Sequence, residues 1–193
     1  MYTHAHLRYA QALAHVGNAE GFFEALSQAN PIAIGSIVPT ATLRQSNCYY
    51  SSSDAAFEDR YQASDGYQRI VEGTIALDGG WRVYSSGAGI ALGLIYRCLL
   101  GISCEAGRLR VDPVIPPSLD GLRVNTNLYG RRVELRYGIK ERGCGVNEVL
   151  VNDAPLPFER AANPHRLGAA LISMSAVLEK LTADRNLIHI GLG

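Results

Sequence analysis

The first thirty residues alternate between apolar and polar side chains at helical spacing. Leu7, Ala10, Leu13 and Ala14 supply one apolar face from Tyr2 to about Val16, and Gly17-Asn18 stops it. On the opposite side His4, Arg8, Gln11 and His15 follow i, i+4, i+7, i+11, so they form a polar stripe. A second helix is predicted from Ala19 to Ala29, with Phe22, Phe23 and Leu26 turned to a core. Asn30-Pro31 ends it, because the residue before a proline is pushed out of the helical region. Between Gln45 and Gly80 neither period holds. That stretch, rich in Ser, Asp, Gly and Tyr, predicts an ordered functional loop. An apolar helix is expected over Ile90–Leu100, introduced by Gly79 to Gly89.

Near Gly101 the period changes from helical to alternating. Arg108 to Val111, Gly121 to Leu128, Val133 to Ile139 and Glu148 to Val151 predict short strands. The turns between them are expected at Tyr129-Gly130-Arg131, Arg142-Gly143 and Asn152-Asp153. A short helix over Met174–Leu181 and a last strand over Asn186–Gly191 complete the expectation. The class predicted is α+β: helices in residues 1–103, then a small β-sandwich-like domain in 104–193.

With 193 residues, 47% hydrophobic and 19% charged, the chain can bury a sizeable core and is not extended disorder. Lys plus Arg and Asp plus Glu number 18 each, so no net field attracts a polyanion. Nucleic acid and membrane are therefore not expected partners. No apolar run reaches the length of a membrane span, and the N-terminus has neither the basic start nor the apolar stretch of a signal peptide, so a cytoplasmic location is expected. Cys48, Cys98, Cys104 and Cys144 form no CxxC pair; no metal site and no disulfide scaffold is expected, only reduced and mostly packed thiols.

Two apparent motifs carry no chemistry. Gly87-Ala88-Gly89 to Gly93 has one residue too many for a dinucleotide fingerprint and no surrounding βαβ pattern. His4 and His6, two apart on a helix, point to nearly opposite faces and cannot chelate one ion. Ser85, Ser86, Gly87 and Gly89 precede the apolar helix as an anion-binding helix start would, and they equally suit a simple cap. Tyr49, Tyr50, Tyr61, Tyr67 and Trp81 suit either a sugar-stacking face or loop anchors. Asp54, Asp59 and Asp78 read as solvated loop carboxylates.

Several segments recur in the order of one family: Tyr2-Thr3-His4-Ala5-His6-Leu7, Asn30-Pro31-Ile32, Asn47 to Ala55, Gly80 to Gly89, and Leu109-Arg110-Val111-Asp112-Pro113-Val114-Ile115-Pro116. Together they resemble the C-terminal end of the inverting β-glucan phosphorylases of glycoside hydrolase family 94. The Asn47–Asp54 loop leans to the 1,2-β-glucan branch. The resemblance implies the last helices of an (α/α)6 barrel followed by a small C-terminal β-sandwich. It implies phosphate-binding by His4, Ser85 and Ser86, and substrate contacts from Tyr49, Asp54 and Trp81. Ser86 stands where many members have glycine. No cofactor is implied; inorganic phosphate is a co-substrate and a β-linked glucan or oligosaccharide the partner substrate. The catalytic acid and the phosphate-binding arginine of that family lie upstream of the motif that opens this chain. The resemblance therefore implies a fragment or truncated product, inactive alone, and a homo-oligomer or an N-terminal partner chain that completes the barrel. The alternative is a non-catalytic β-sandwich module that binds carbohydrate or a partner.

Overall fold

A computed structural model describes residues 3–30, 36, 39–42, 53–79 and 85–193. The class is mixed α+β, as the change of period predicts. The chain divides into two compact units, Met1–Gln11 with Glu24–Leu92, and Ala12–Phe23 with Gly93–Gly193.

Helix α1 spans Thr3–Val16 and α2 Ala19–Gln28. Leu7, Ala10 and Ala14 are buried on α1, and Phe22, Ala25 and Leu26 on α2, so the apolar stripes read from the sequence are the packed faces. Gly17 takes a left-handed φ of 82° after the last turn of α1, and Asn18 caps α2 by accepting from the Gly21 N–H at 3.0 Å.

In the first unit, strands β1 (Ala41–Thr42), β2 (Ser53–Ala55) and β3 (Leu77–Gly79) form a small sheet ordered β1-β3-β2. Two short helices, α3 (Arg60–Asp65) and α4 (Tyr67–Val71), lie between β2 and β3. The segment expected as loop thus holds regular pieces too short to leave a period. Helix α5, Ser85–Leu94, runs on into a π turn over Ile95–Leu99. It starts five residues before the predicted Ile90, because the glycines that argue against helix are tolerated in its first turns.

The second unit is built on two sheets. One is ordered β10-β11-β5-β4, from Glu159–Arg160, Ala170–Ser173, Arg108–Val111 and Ile102–Glu105. The other is ordered β6-β7-β12-β8-β9, from Arg123–Leu128, Arg131–Ile139, Arg185–Leu192, Val146–Val151 and Ala154–Pro155. Inward residues of both, among them Leu109, Val111, Val133, Leu135, Tyr137, Val149, Ile172, Ile188 and Ile190, share one apolar cluster with Met174 and Val177 of helix α6 (Met174–Lys180). Three two-residue hairpin turns have positive φ at both positions: Ala106-Gly107, Tyr129-Gly130 and Asn152-Asp153. That conformation matches the twist of the strands they join. The predicted Arg142-Gly143 turn joins no hairpin. Its Gly143 carbonyl instead accepts from the Ile115 N–H at 2.7 Å.

The Leu109–Pro116 motif now has a physical meaning. After β5 the chain leaves the sheet as a strap in which Val114 and Ile115 are fully buried. The prolines have no N–H to satisfy; Asp112, Val114 and Ile115 donate to the carbonyls of Gly101 (2.8 Å), Cys98 (2.8 Å) and Gly143 (2.7 Å). Gly101, at φ 65°, packs so closely on Pro113 that a Cβ there would overlap its nitrogen. Asp112 is the strap's charged anchor, accepting from Arg166 at 2.6 Å and Arg110 at 3.1 Å. Replacing Asp112 by Ala strands the Arg166 guanidinium, whose side chain is only 10% exposed. The expected loss is roughly 3 kcal/mol of stability, read by urea unfolding. A loss within experimental error would show the pair to be incidental.

Candidate functional site

Of the six residues assigned to a site from the sequence, Tyr49 and Trp81 lie outside the described residues. His4, Asp54, Ser85 and Ser86 all fall in the first unit. His4 is half-buried in the first turn of α1, heading the polar stripe whose Arg8, Gln11 and His15 are exposed. Within that stripe Arg8 donates to Gln11 at 2.8 Å. His6 faces elsewhere: its Nε2 lies 2.7 Å from the Ala25 carbonyl, which gives this histidine a structural contact.

Ser85 and Ser86 are the first two residues of α5, inside the helix and not ahead of it. Their backbone N–H groups belong to the first turn, where helix geometry offers no intrahelical acceptor and the dipole favours an anion. Gly89, one turn on, leaves open space where a side chain would stand.

Asp54 is on β2 and pairs in register with Asp78 on β3. Asp59 has a task the sequence reading missed. Its Oδ1 accepts from the N–H groups of Tyr61 (2.8 Å) and Gln62 (2.9 Å), capping α3. That cap starts the helix carrying Tyr61; Tyr61 and, on the next helix, Tyr67 are exposed at 65% and 64%. Arg60 lies 4.9 Å over the Tyr61 ring. The Asp-x-x-Gln spacing from Asp59 to Gln62, which reads as a capping box, was the available signal.

Among the thiols described, Cys98 and Cys144 are half-buried and Cys104 is exposed, so packing is less complete than expected. Burial, together with the nearby Asp112 carboxylate, pushes the Cys98 thiol up from its ordinary pKa. No cluster of three or more His, Cys, Asp or Glu able to hold a metal ion occurs among the described residues. No helix among them is long and apolar enough to cross a membrane.

No family model matches the chain. Its sequence nevertheless identifies it as a homologue of part of a carbohydrate phosphorylase. A 1,2-beta-oligoglucan phosphorylase of Listeria innocua serovar 6a is 43% identical over 171 residues, 89% of this chain. The chain spans about 15% of the length of that relative. The resemblance to β-glucan phosphorylases read from the motifs is thereby shown.

Replacing Asp59 by Ala is expected to cost about 1 kcal/mol locally. Amide hydrogen exchange over residues 60–65 reads it: those amides should exchange faster, while the strands of the second unit keep their protection.

Proposed function

We propose that the chain is the C-terminal part of an inverting β-glucan phosphorylase of glycoside hydrolase family 94, acting on a 1,2-β-glucan in the cytoplasm and carrying half of its phosphate site. The single observation that carries this reading is the 43% identity to a 1,2-beta-oligoglucan phosphorylase. Residues 1–103 then supply the closing helices of an (α/α)6 barrel and 104–193 a terminal β-sandwich. The two sheets around one shared cluster support the second part.

The chemistry follows from what phosphate supplies. An inverting glycosidase needs an acid and a base because water is a poor nucleophile. Phosphate is already anionic, so one carboxylic acid suffices: it protonates the leaving glycosidic oxygen as a phosphate oxygen bonds to the anomeric carbon from the opposite face. In this reading His4 and the first-turn groups of Ser85 and Ser86 hold the incoming phosphate, and Tyr49, Asp54 and Trp81 contact the sugar. No carboxylate of this chain matches the family's acid. Asp59 is engaged as a helix cap, and Asp112 is closed off by two arginines.

The full chain alone should release no glucose 1-phosphate from 1,2-β-glucan and phosphate. Measurable phosphorolysis by the chain alone would overturn the assignment of the acid to another segment.

Helix surfaces in this reading are partly made for neighbours. Tyr9, Leu92 and Tyr96 are more than half exposed on α1, α5 and its π turn. The chain is expected to self-associate or to bind a partner chain supplying the rest of the barrel, and light scattering of the chain alone reads this. A dilution-independent monomer that ignores such a partner would contradict it. A second reading, a non-catalytic β-sandwich that binds carbohydrate, is favoured by the self-contained core of the second unit. Isothermal titration with β-glucans, with and without phosphate, separates the two: affinity independent of phosphate and of His4→Ala belongs to the module.

A further inference from the structure

The solvent face of the five-stranded sheet carries an unusual charge pattern. Along the middle of that face Arg132, Glu134 and Arg136 of β7 alternate outward. Register sets Arg185 of β12 directly beside Arg132, and Arg123 of β6 directly beside Arg136. Two like-charge pairs therefore face each other across strands, an arrangement that destabilises a sheet unless something offsets it. Among the described residues only Arg136 of the four is paired with a carboxylate, donating to Glu134 at 2.8 Å. The side chains of Arg123, Arg132 and Arg185 have no ion-pair or hydrogen-bond partner among the described residues. The Arg136 hydrogen bond holds Glu134 below the usual carboxylate range, and the charges of Arg123 and Arg185 act in the same direction.

At one end of this face a cleft of about 730 Å³ opens, lined by Asn125, Thr126, Arg132, Glu134, Asp184 and Arg185. That volume is ample for a monosaccharide-sized ligand. Its walls are fixed by a buried amide. Asn186 accepts from Thr182 N–H at 2.7 Å and donates to the carbonyls of Thr182, Asp184 and Arg132 at 3.2, 3.3 and 3.1 Å. Asn152 adds a further donation to its Oδ1 at 3.0 Å. A buried polar group satisfied on every side rigidifies what it holds, here the loop bearing Asp184 and the first residue of β12.

The geometry points to a binding site for a phosphate monoester of a sugar in this cleft. The guanidiniums of Arg132 and Arg185 meet the phosphoryl oxygens, and Asn125 and Asp184 meet the hydroxyls. Planar guanidiniums side by side match the spread of phosphoryl oxygens, and an anion between them removes their mutual repulsion. A bare phosphate would leave Asp184 facing a like charge. Sugar hydroxyls give its carboxylate donors instead. The inference rests on residues of the second unit and stands whether or not His4, Ser85 and Ser86 bind phosphate.

Isothermal titration of the full chain at low ionic strength tests it, with glucose 1-phosphate, inorganic phosphate and glucose as probes. Glucose 1-phosphate should bind. Arg132→Ala and Arg185→Ala should each weaken it about tenfold, the size of one lost charge-assisted hydrogen bond, and Arg185→Lys less. Both positions are exposed, and an unchanged circular dichroism spectrum confirms that the variants fold. His4→Ala should leave this binding intact, so failure here and failure of the phosphorylase reading are separable. Asp184→Asn should weaken glucose 1-phosphate more than phosphate. Equal affinity for phosphate and glucose 1-phosphate would overturn the sugar contacts. No binding, binding indifferent to both arginines, or equal binding of glucose would overturn the site.

Discussion

A carboxylate held between two guanidiniums organises the second unit. Asp112 follows β5 and begins the buried strap; Arg110 comes back to it from the strand itself, and Arg166 reaches it from 54 positions away. Arg166 serves more than this one partner. Its Nε also donates to the His15 carbonyl at 3.3 Å and its Nη1 to the Leu167 carbonyl at 3.1 Å. One side chain thus ties the strap, the 161–168 loop and the last turn of α1. Desolvating such a pair costs about as much as its attraction returns, so its effect is on geometry more than on net stability. An apolar substitute could fill the space but would not satisfy the His15 and Leu167 carbonyls.

What the sequence made legible follows the range of the interaction that decides each element. Helices α1 and α2 were readable because their stripes, the Gly17 stop and the Asn18 cap all lie within a few residues. The hairpin turns at Tyr129-Gly130 and Asn152-Asp153 were readable because positive φ at two successive positions needs particular residues, or their absence of bulk. Strands β4 and β11 were not seen. Each is four residues long, and each exists because β5 runs between them with Arg108–Val111 paired on both sides. Nothing local in Ile102–Glu105 or Ala170–Ser173 announces that partner. The start of α5 was placed late because two glycines in its first turns lower its intrinsic propensity, while the later apolar positions fix it.

The candidate sites divide in the same way. His4, Ser85 and Ser86 were singled out by their place in a recurring order of motifs; their local chemistry alone suits a cap as well as an anion. The register of Asp54 with Asp78 could not be read, because strand pairing and not sequence spacing makes them neighbours. For the arginine face, the alternation Arg132-Glu134-Arg136 was visible as the polar half of a strand. Its meaning was hidden until the parallel pairing of β7 with β12 set Arg185 beside it.

The two oxyanion sites read from this chain would work by different physics, and that difference bears on why one molecule would keep both. At the start of α5 the donors are backbone N–H groups and a helix dipole, partial charges fixed in place that bring no net charge. On the outer sheet the donors are whole guanidinium charges on an exposed surface. Attraction there extends over a Debye length of about 8 Å at physiological salt and weakens as salt rises. A reacting phosphate has to be held at one distance and angle from an anomeric carbon, which favours rigid dipoles. A cleft that only retains a phosphorylated sugar tolerates looser geometry but gains from longer reach. With 18 positive and 18 negative side chains the chain as a whole attracts no anion, so that reach has to come from local segregation of charge. Arg123, Arg132 and Arg185, paired with no carboxylate among the described residues, are where the fold supplies it.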